Sequence, residues 1–247
     1  MNKLSILLLC SLLPCLAFAQ KNKKVNYLFS NPPEINIDAN ITDWDNTLTY
    51  VGDELWAFSV TEQNNNLYVT IVIKDLQLQR EAFRGGLFID VSYDGKKKEG
   101  ARLQFPYWDR ERRRALADLG QHEETANLEK ELLNNVNGYF LTGFGRVRDG
   151  VLALQNDYGI DGIVKIDTNK CLVYEAKIPL QLVGLKSEQI AVNLGINTQY
   201  ALLKKAASNA NKNRNMYPMM GRPVMQSTLK NPYSGETEVW VYNKIIK

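Results

Sequence analysis

Apolar and polar residues alternate with a period of two along most of this chain. In Asn66 to Lys74, Leu67, Val69, Ile71 and Ile73 fall on one face and Tyr68, Thr70, Val72 and Lys74 on the other, the pattern of a half-buried strand. Glu54 to Thr61 alternates likewise, with Trp56, Phe58 and Val60 together, and the run Asn64-Asn65-Asn66 between the two predicts an antiparallel hairpin. Leu87 to Tyr93, closed by the turn pair Asp94-Gly95, predicts a third strand, with Ala101 to Phe105 as its partner. Further strands are predicted at Gly138 to Phe144, Val151 to Leu154, Gly159 to Ile166, Leu172 to Ile178, Ile190 to Tyr200 and Glu238 to Tyr242. Short strands at this spacing, punctuated by Gly, Asn and Asp, predict an all-β fold: an antiparallel, jelly-roll-like β-sandwich, or a barrel.

Two stretches break the pattern. Asp109 to Val136 lacks alternation, and Leu116, Leu119, Ala126, Leu128, Leu132, Leu133 and Val136 recur at helical spacing. A short helical insertion between strands, over 109–136, is the expectation. Ala201 to Lys230 is expected to be an irregular connection, and loops of that length usually bind something or move.

The N-terminus changes the composition. Lys3, the apolar run Leu4 to Phe18, and Ala17-Phe18-Ala19 before Gln20 follow the secretory pattern, so residues 1–19 read as a signal peptide cleaved near Ala19. Residues 20–247 then form one domain, exported to a periplasmic or extracellular compartment and soluble. Losing Lys3 takes the formal charge from +3 to +2, a near-balance that offers no field for nucleic acid. Cys10 and Cys15 leave with the signal, so Cys171 has no disulfide partner within the chain and the core must hold the fold by itself. No later stretch approaches the length of a membrane span.

Candidate chemistry is sparse. His122, the single histidine, excludes a multi-histidine metal site, and no phosphate-binding glycine motif is present. Asp38, Asp43, Asp45, Asp75 and Asp90 near strand ends are read as turn caps, although two carboxylates brought together by the fold would also serve a glycoside hydrolase. Basic and acidic residues are mixed in the helical insertion. Lys204, Lys205, Lys212, Arg214, Arg222 and Lys230 instead stand without an acidic neighbour, and Met216, Met219, Met220 and Met225 share that stretch. The thioethers suit either packing or a soft copper(I) ion. Among the tryptophans, Trp56 falls in register with the core, whereas Trp108, beside Tyr107 and the Arg run, is the one expected to be exposed. Such a ring serves equally to stack on a sugar or to seal the end of a sandwich.

Four segments in order resemble the family 9 carbohydrate-binding modules and the wider DOMON-like β-sandwich superfamily. They are Ile35-Asn36-Ile37-Asp38-Ala39-Asn40-Ile41-Thr42-Asp43-Trp44, Asn66-Leu67-Tyr68-Val69 running to Asp75, Leu87-Phe88-Ile89-Asp90, and Val173-Tyr174-Glu175-Ala176-Lys177-Ile178-Pro179-Leu180. The resemblance implies weak, non-catalytic carbohydrate binding, in which two loop aromatics clamp a sugar with polar help from a neighbouring strand. The corresponding positions here are Phe83 and Arg84, Tyr233, and Arg102 or Gln104, with Tyr107 and Trp108 just before the insertion, which would rebuild the site around Trp108 or cover it. Neither clamp tryptophan of the family has an equivalent. The resemblance also implies structural calcium, with ligands that do not map onto this chain. The other readings are a glycoside hydrolase or its accessory subunit in polysaccharide degradation, and a structural protein of the cell envelope.

Overall fold

Twelve strands among the described residues make two sheets. The computed structural model describes residues 26–44, 46–109, 111, 133, 136, 138–214 and 230–244. The strands are β1 (Tyr27–Leu28), β2 (Thr49–Val51), β3 (Trp56–Gln63), β4 (Asn66–Ile73), β5 (Leu87–Val91), β6 (Ala101–Phe105), β7 (Gly138–Thr142), β8 (Gly150–Ala153), β9 (Asp161–Ile166), β10 (Leu172–Pro179), β11 (Ala191–Ile196) and β12 (Glu238–Tyr242). One sheet has seven strands in the order β1-β12-β11-β5-β6-β7-β8, and the other has five in the order β2-β3-β4-β10-β9. Every pairing is antiparallel except β1 with β12, which is parallel. The all-β sandwich expected from alternation is the observed architecture.

Local sequence explains the hairpins. Asn64 and Asn65 take φ of 50° and 60°, the left-handed conformation that Asn tolerates, and so close β3 on β4 with Gln63 opposite Asn66. Trp56, Phe58 and Val60 on β3, Leu67, Val69, Ile71 and Ile73 on β4, Ile89 and Val91 on β5, and Val192, Leu194 and Ile196 on β11 meet in one buried cluster between the sheets. Each such side chain contributes about 1.5–3 kcal/mol by leaving water. The N-terminal segment closes one edge: Phe29 N–H donates to Tyr242 O of the seven-stranded sheet, and Ser30 N–H to Val60 O of the five-stranded one, both at 2.8 Å.

Two helices correct the expectations. α1 (Leu76–Gly85) connects β4 to β5, where no element was expected. Asp75 caps it by accepting from Leu78 N–H at 2.8 Å, Leu78, Ala82 and Phe83 turn inward, and Gly86, at φ 76°, ends it. α2 (Gln199–Arg214) replaces the irregular connection expected from Ala201 and cuts short the strand expected to reach Tyr200. The expected helical insertion, with His122, lies almost wholly outside the described residues, and the four grouped methionines and the expected signal segment lie wholly outside them. No described helix is long and apolar enough to cross a membrane.

The half-buried reading of β3 and β4 also needs correction, since their outward residues are covered too. Residues 35–44 and 46–48 lie across the outer face of the five-stranded sheet, where Ala39, Ile41 and Leu48 pack on Ala57, Val72 and Val173. Glu175, fully buried on β10, anchors this cover. Its Oε2 accepts from Asp38 N–H at 3.0 Å and Ala39 N–H at 2.7 Å, and its Oε1 accepts from the Trp44 indole at 2.9 Å. Burial still raises its carboxyl above the ordinary value.

Candidate ligand-binding site

The outer face of the seven-stranded sheet differs from an ordinary solvated sheet face in being polar and yet largely buried. Alternation puts Ile89, Leu103 and Leu194 inside, so Asp90, Arg102 and Asn193 point outward. Register then aligns them across three strands, with Asn193 opposite Asp90 and Asp90 opposite Arg102. Trp240 on β12 extends the row beyond Asn193. A second row sets Phe88 beside Gln104 and Gln104 beside Phe140.

Arg102 holds Asp90 bidentately, Nε to Oδ1 at 2.9 Å and Nη2 to Oδ2 at 2.6 Å, and its guanidinium lies 4.5 Å over the Phe88 ring. The Asp90 side chain is 5% exposed and that of Arg102 29%. Burial raises the Asp90 carboxyl above its ordinary range, with Arg102 pulling the other way. Asp90 is therefore the mid-strand half of an ion pair, and the expectation that it caps a turn is corrected. Asp38, Asp43 and Asp75 do accept from loop or helix amides as expected, at 2.8 to 3.0 Å.

The seven expected site residues divide. Trp108, expected to be exposed, is buried at 2%, its indole donating to Phe83 O at 2.6 Å. Gln104 Nε2 donates to Gly85 O at 2.8 Å, and Asn197 Nδ2 reaches the same oxygen at 3.0 Å. The physical reason is the C-terminus of α1, whose last carbonyls have no partner within the helix and take donors from three distant side chains. A β-carbon at Gly85 would sit 2.0 Å from Asn197 O, so the helix end is seated tightly on Asn197, the residue that follows β11. Phe83 is itself in the core at 2% exposure. Tyr233 is buried too, with its hydroxyl 3.4 Å from Glu81, and burial next to that carboxylate pushes the phenol up to about 12. Three of the four expected aromatics therefore present no free ring face, because they seal the sandwich end. Arg84 is exposed on the last turn of α1.

Arg102, Gln104 and Tyr107 are brought together at the outer face. Tyr107 stacks on Phe140 with ring centroids 4.8 Å apart and planes 18° from parallel, and both rings are half-buried. Phe140 and Asn193 were missed as site residues, while Asp90 was weighed only as a turn cap or hydrolase carboxylate and Trp240 only as one of four available tryptophans; the available signal was their phase, since each alternates against its strand's core residues. An open cleft at the β8–β9 corner, beside Asn156, Asp157, Asp161 and Lys177, is lined by no aromatic residue. Among the described residues no three His, Cys, Asp or Glu side chains converge, so no side-chain cage for the calcium implied by resemblance is found there.

No protein-family model matches the sequence, and the comparison with curated proteins also gives no match. Among solved structures the chain is similar to a family 9 carbohydrate-binding module from Caldicellulosiruptor kristjanssonii, determined in complex with glucose. Identity is 10% over 72% of this chain and 81% of that one, with a TM-score of 0.31. A likeness at that level carries nothing about ligand or site, which rest on the side chains described above.

Proposed function

We propose that this chain is an exported, non-catalytic β-sandwich that holds carbohydrate weakly and reversibly on the outer face of its seven-stranded sheet. The observation that carries this reading is the half-exposed Tyr107–Phe140 stack beside Gln104 and the Arg102–Asp90 pair. Sugar rings have apolar C–H faces edged by hydroxyls, so an aromatic platform next to fixed amide, guanidinium and carboxylate groups matches both parts. The secretory pattern of residues 1–19 supports export.

Affinity electrophoresis against a panel of soluble polysaccharides tests it. The wild type is retarded by at least one polymer, and replacing Tyr107 and Phe140 together by alanine abolishes retardation while the thermal unfolding midpoint shows a folded protein. Failure of every polymer to retard the wild type would overturn the reading.

A further inference from the structure

Among the described residues, three buried side-chain polar atoms have no hydrogen-bond partner: Tyr174 Oη, Asn193 Oδ1 and Tyr242 Oη. Tyr174 lies in the core between the sheets, where its ring packs on Phe105. The other two share the outer face of the seven-stranded sheet. Asn193 alternates against Val192 and Leu194, and Tyr242 against Val241. Asn193 stands opposite Trp240, and Ala191 opposite Tyr242, so the two side chains are diagonal neighbours on adjacent strands, with backbones about 7–8 Å apart. Asn193 is 8% exposed and Tyr242 1%.

Buried polar groups normally find partners, and an unpaired one costs the fold its desolvation energy. Here an acceptor and a phenol that both donates and accepts are left unpaired as diagonal neighbours, Asn193 within the row that also holds the Asp90–Arg102 ion pair and Trp240. Lys97 Nζ sits 5.7 Å over the Tyr242 ring, and Lys97 itself is exposed. α2 follows β11 by two residues, with Gln199 N–H donating to Glu81 of α1 at 3.0 Å, and carries Lys205 to an ion pair with Glu99 at 3.0 Å. Those two side chains are 57% and 81% exposed, and pairs so solvated add little stability.

We propose that Asn193 and Tyr242 form a hydroxyl-recognising subsite for a neutral sugar, next to Trp240 and beneath Lys97. One ligand hydroxyl donates to Asn193 Oδ1, and the same or an adjacent hydroxyl accepts from Tyr242 Oη. Phosphate and carboxylate ligands carry no donor for Asn193 when ionised, whereas a hydroxyl serves both groups. The proposal rests on the carbohydrate reading above and adds the polar end of the same face, across the sheet from the Tyr107–Phe140 stack.

The test titrates the full chain with neutral cello-, xylo-, manno- and laminari-oligosaccharides, and with oligogalacturonate as the acidic probe. Wild type, Tyr107→Ala, Tyr242→Phe and Asn193→Leu are compared, and each variant's unfolding midpoint is recorded. Tyr242→Phe and Asn193→Leu are expected to weaken binding of a neutral oligosaccharide at least tenfold while the midpoint holds or rises, because each removes a polar atom that the fold leaves unpaired. A monodeoxy version of the bound sugar then binds wild type and one of these variants equally. If neutral sugars bind and only Tyr107→Ala weakens them, the subsite is wrong and the carbohydrate reading stands. A midpoint that drops in both variants along with affinity shows a structural role and overturns the subsite. Binding of oligogalacturonate alone overturns the neutral choice. Binding of no sugar overturns both readings.

Discussion

The two outer faces of this sandwich are both covered, and each buries a carboxylate, but they are finished differently. On the five-stranded sheet Glu175 accepts three hydrogen bonds, all from residues 38–44 of its own chain, and the apolar neighbours Ala57, Val72 and Val173 are packed by that same segment. On the seven-stranded sheet Asp90 has one arginine, Asn193 and Tyr242 have unpaired atoms, and a solvated lysine lies over the phenol. The first face is a second small core. The second keeps polar capacity that the fold does not use, and binding groups must have that property before a ligand arrives.

The comparison is broken or sharpened by substitution. The largest effect is expected for Glu175→Ala, which strands three donors and frees the 35–44 cover. A loss on the order of 3 kcal/mol in urea denaturation is predicted, with sugar binding by the folded fraction unchanged. Arg102→Ala comes next, at about 2 kcal/mol near neutral pH, below the full cost of splitting a buried pair because the guanidinium is partly solvated. That cost shrinks on acidification, since the raised Asp90 carboxyl takes up a proton and no longer needs the arginine. A cost independent of pH would show that Asp90 is not held ionised by this pair.

A smaller effect concerns the slope of stability with pH. Burial raises Glu175 above its ordinary 4.5, so the folded protein holds this proton more tightly than the unfolded chain does. The resulting stability is fully present below the unfolded pKa and is lost as pH rises through the folded one. The advantage of wild type over Glu175→Gln therefore narrows as pH is raised across that window, measured as paired unfolding free energies. A widening gap contradicts the assignment. The smallest effect is that of Tyr242→Phe, predicted to fall within about 0.5 kcal/mol of wild type or above it. If Tyr242→Phe cost as much as Glu175→Ala, the contrast between the two faces would collapse.

Much of the strand layout was legible in the chain. The β3–β4 and β5–β6 hairpins, β7 to β10 and β12 follow from alternation and from Asn64-Asn65 or Asp94-Gly95, which act within a few residues. α1 was legible as well, from Asp75 before Leu78, Ala82 and Phe83 and from the Gly85-Gly86 stop, but the apolar spacing is short and was passed over. α2 carries no clear apolar stripe, with Leu202 and Leu203 exposed, and its start is set by partners far away: Glu81 on Gln199 N–H and the buried Thr198 on Ala201 N–H. The site was read less well. Trp108 and Phe83 have the composition of a platform, but the unpaired carbonyls at the end of α1 claim the indole of one and the core takes the ring of the other.

The sequence by itself determined where the chain extends, where it turns and which face of each strand meets the core, because those depend on side-chain polarity at a spacing of two and on the φ a turn residue tolerates. Only the tertiary structure decided which outer face is completed and which is left with open polar atoms. Glu175 finds its donors more than 130 residues away, and Asn193 stands beside Asp90 and Trp240 only through the register of three strands drawn from distant parts of the chain. Whether a polar group is satisfied is a property of what is folded against it, and the identity of the residue does not contain that information.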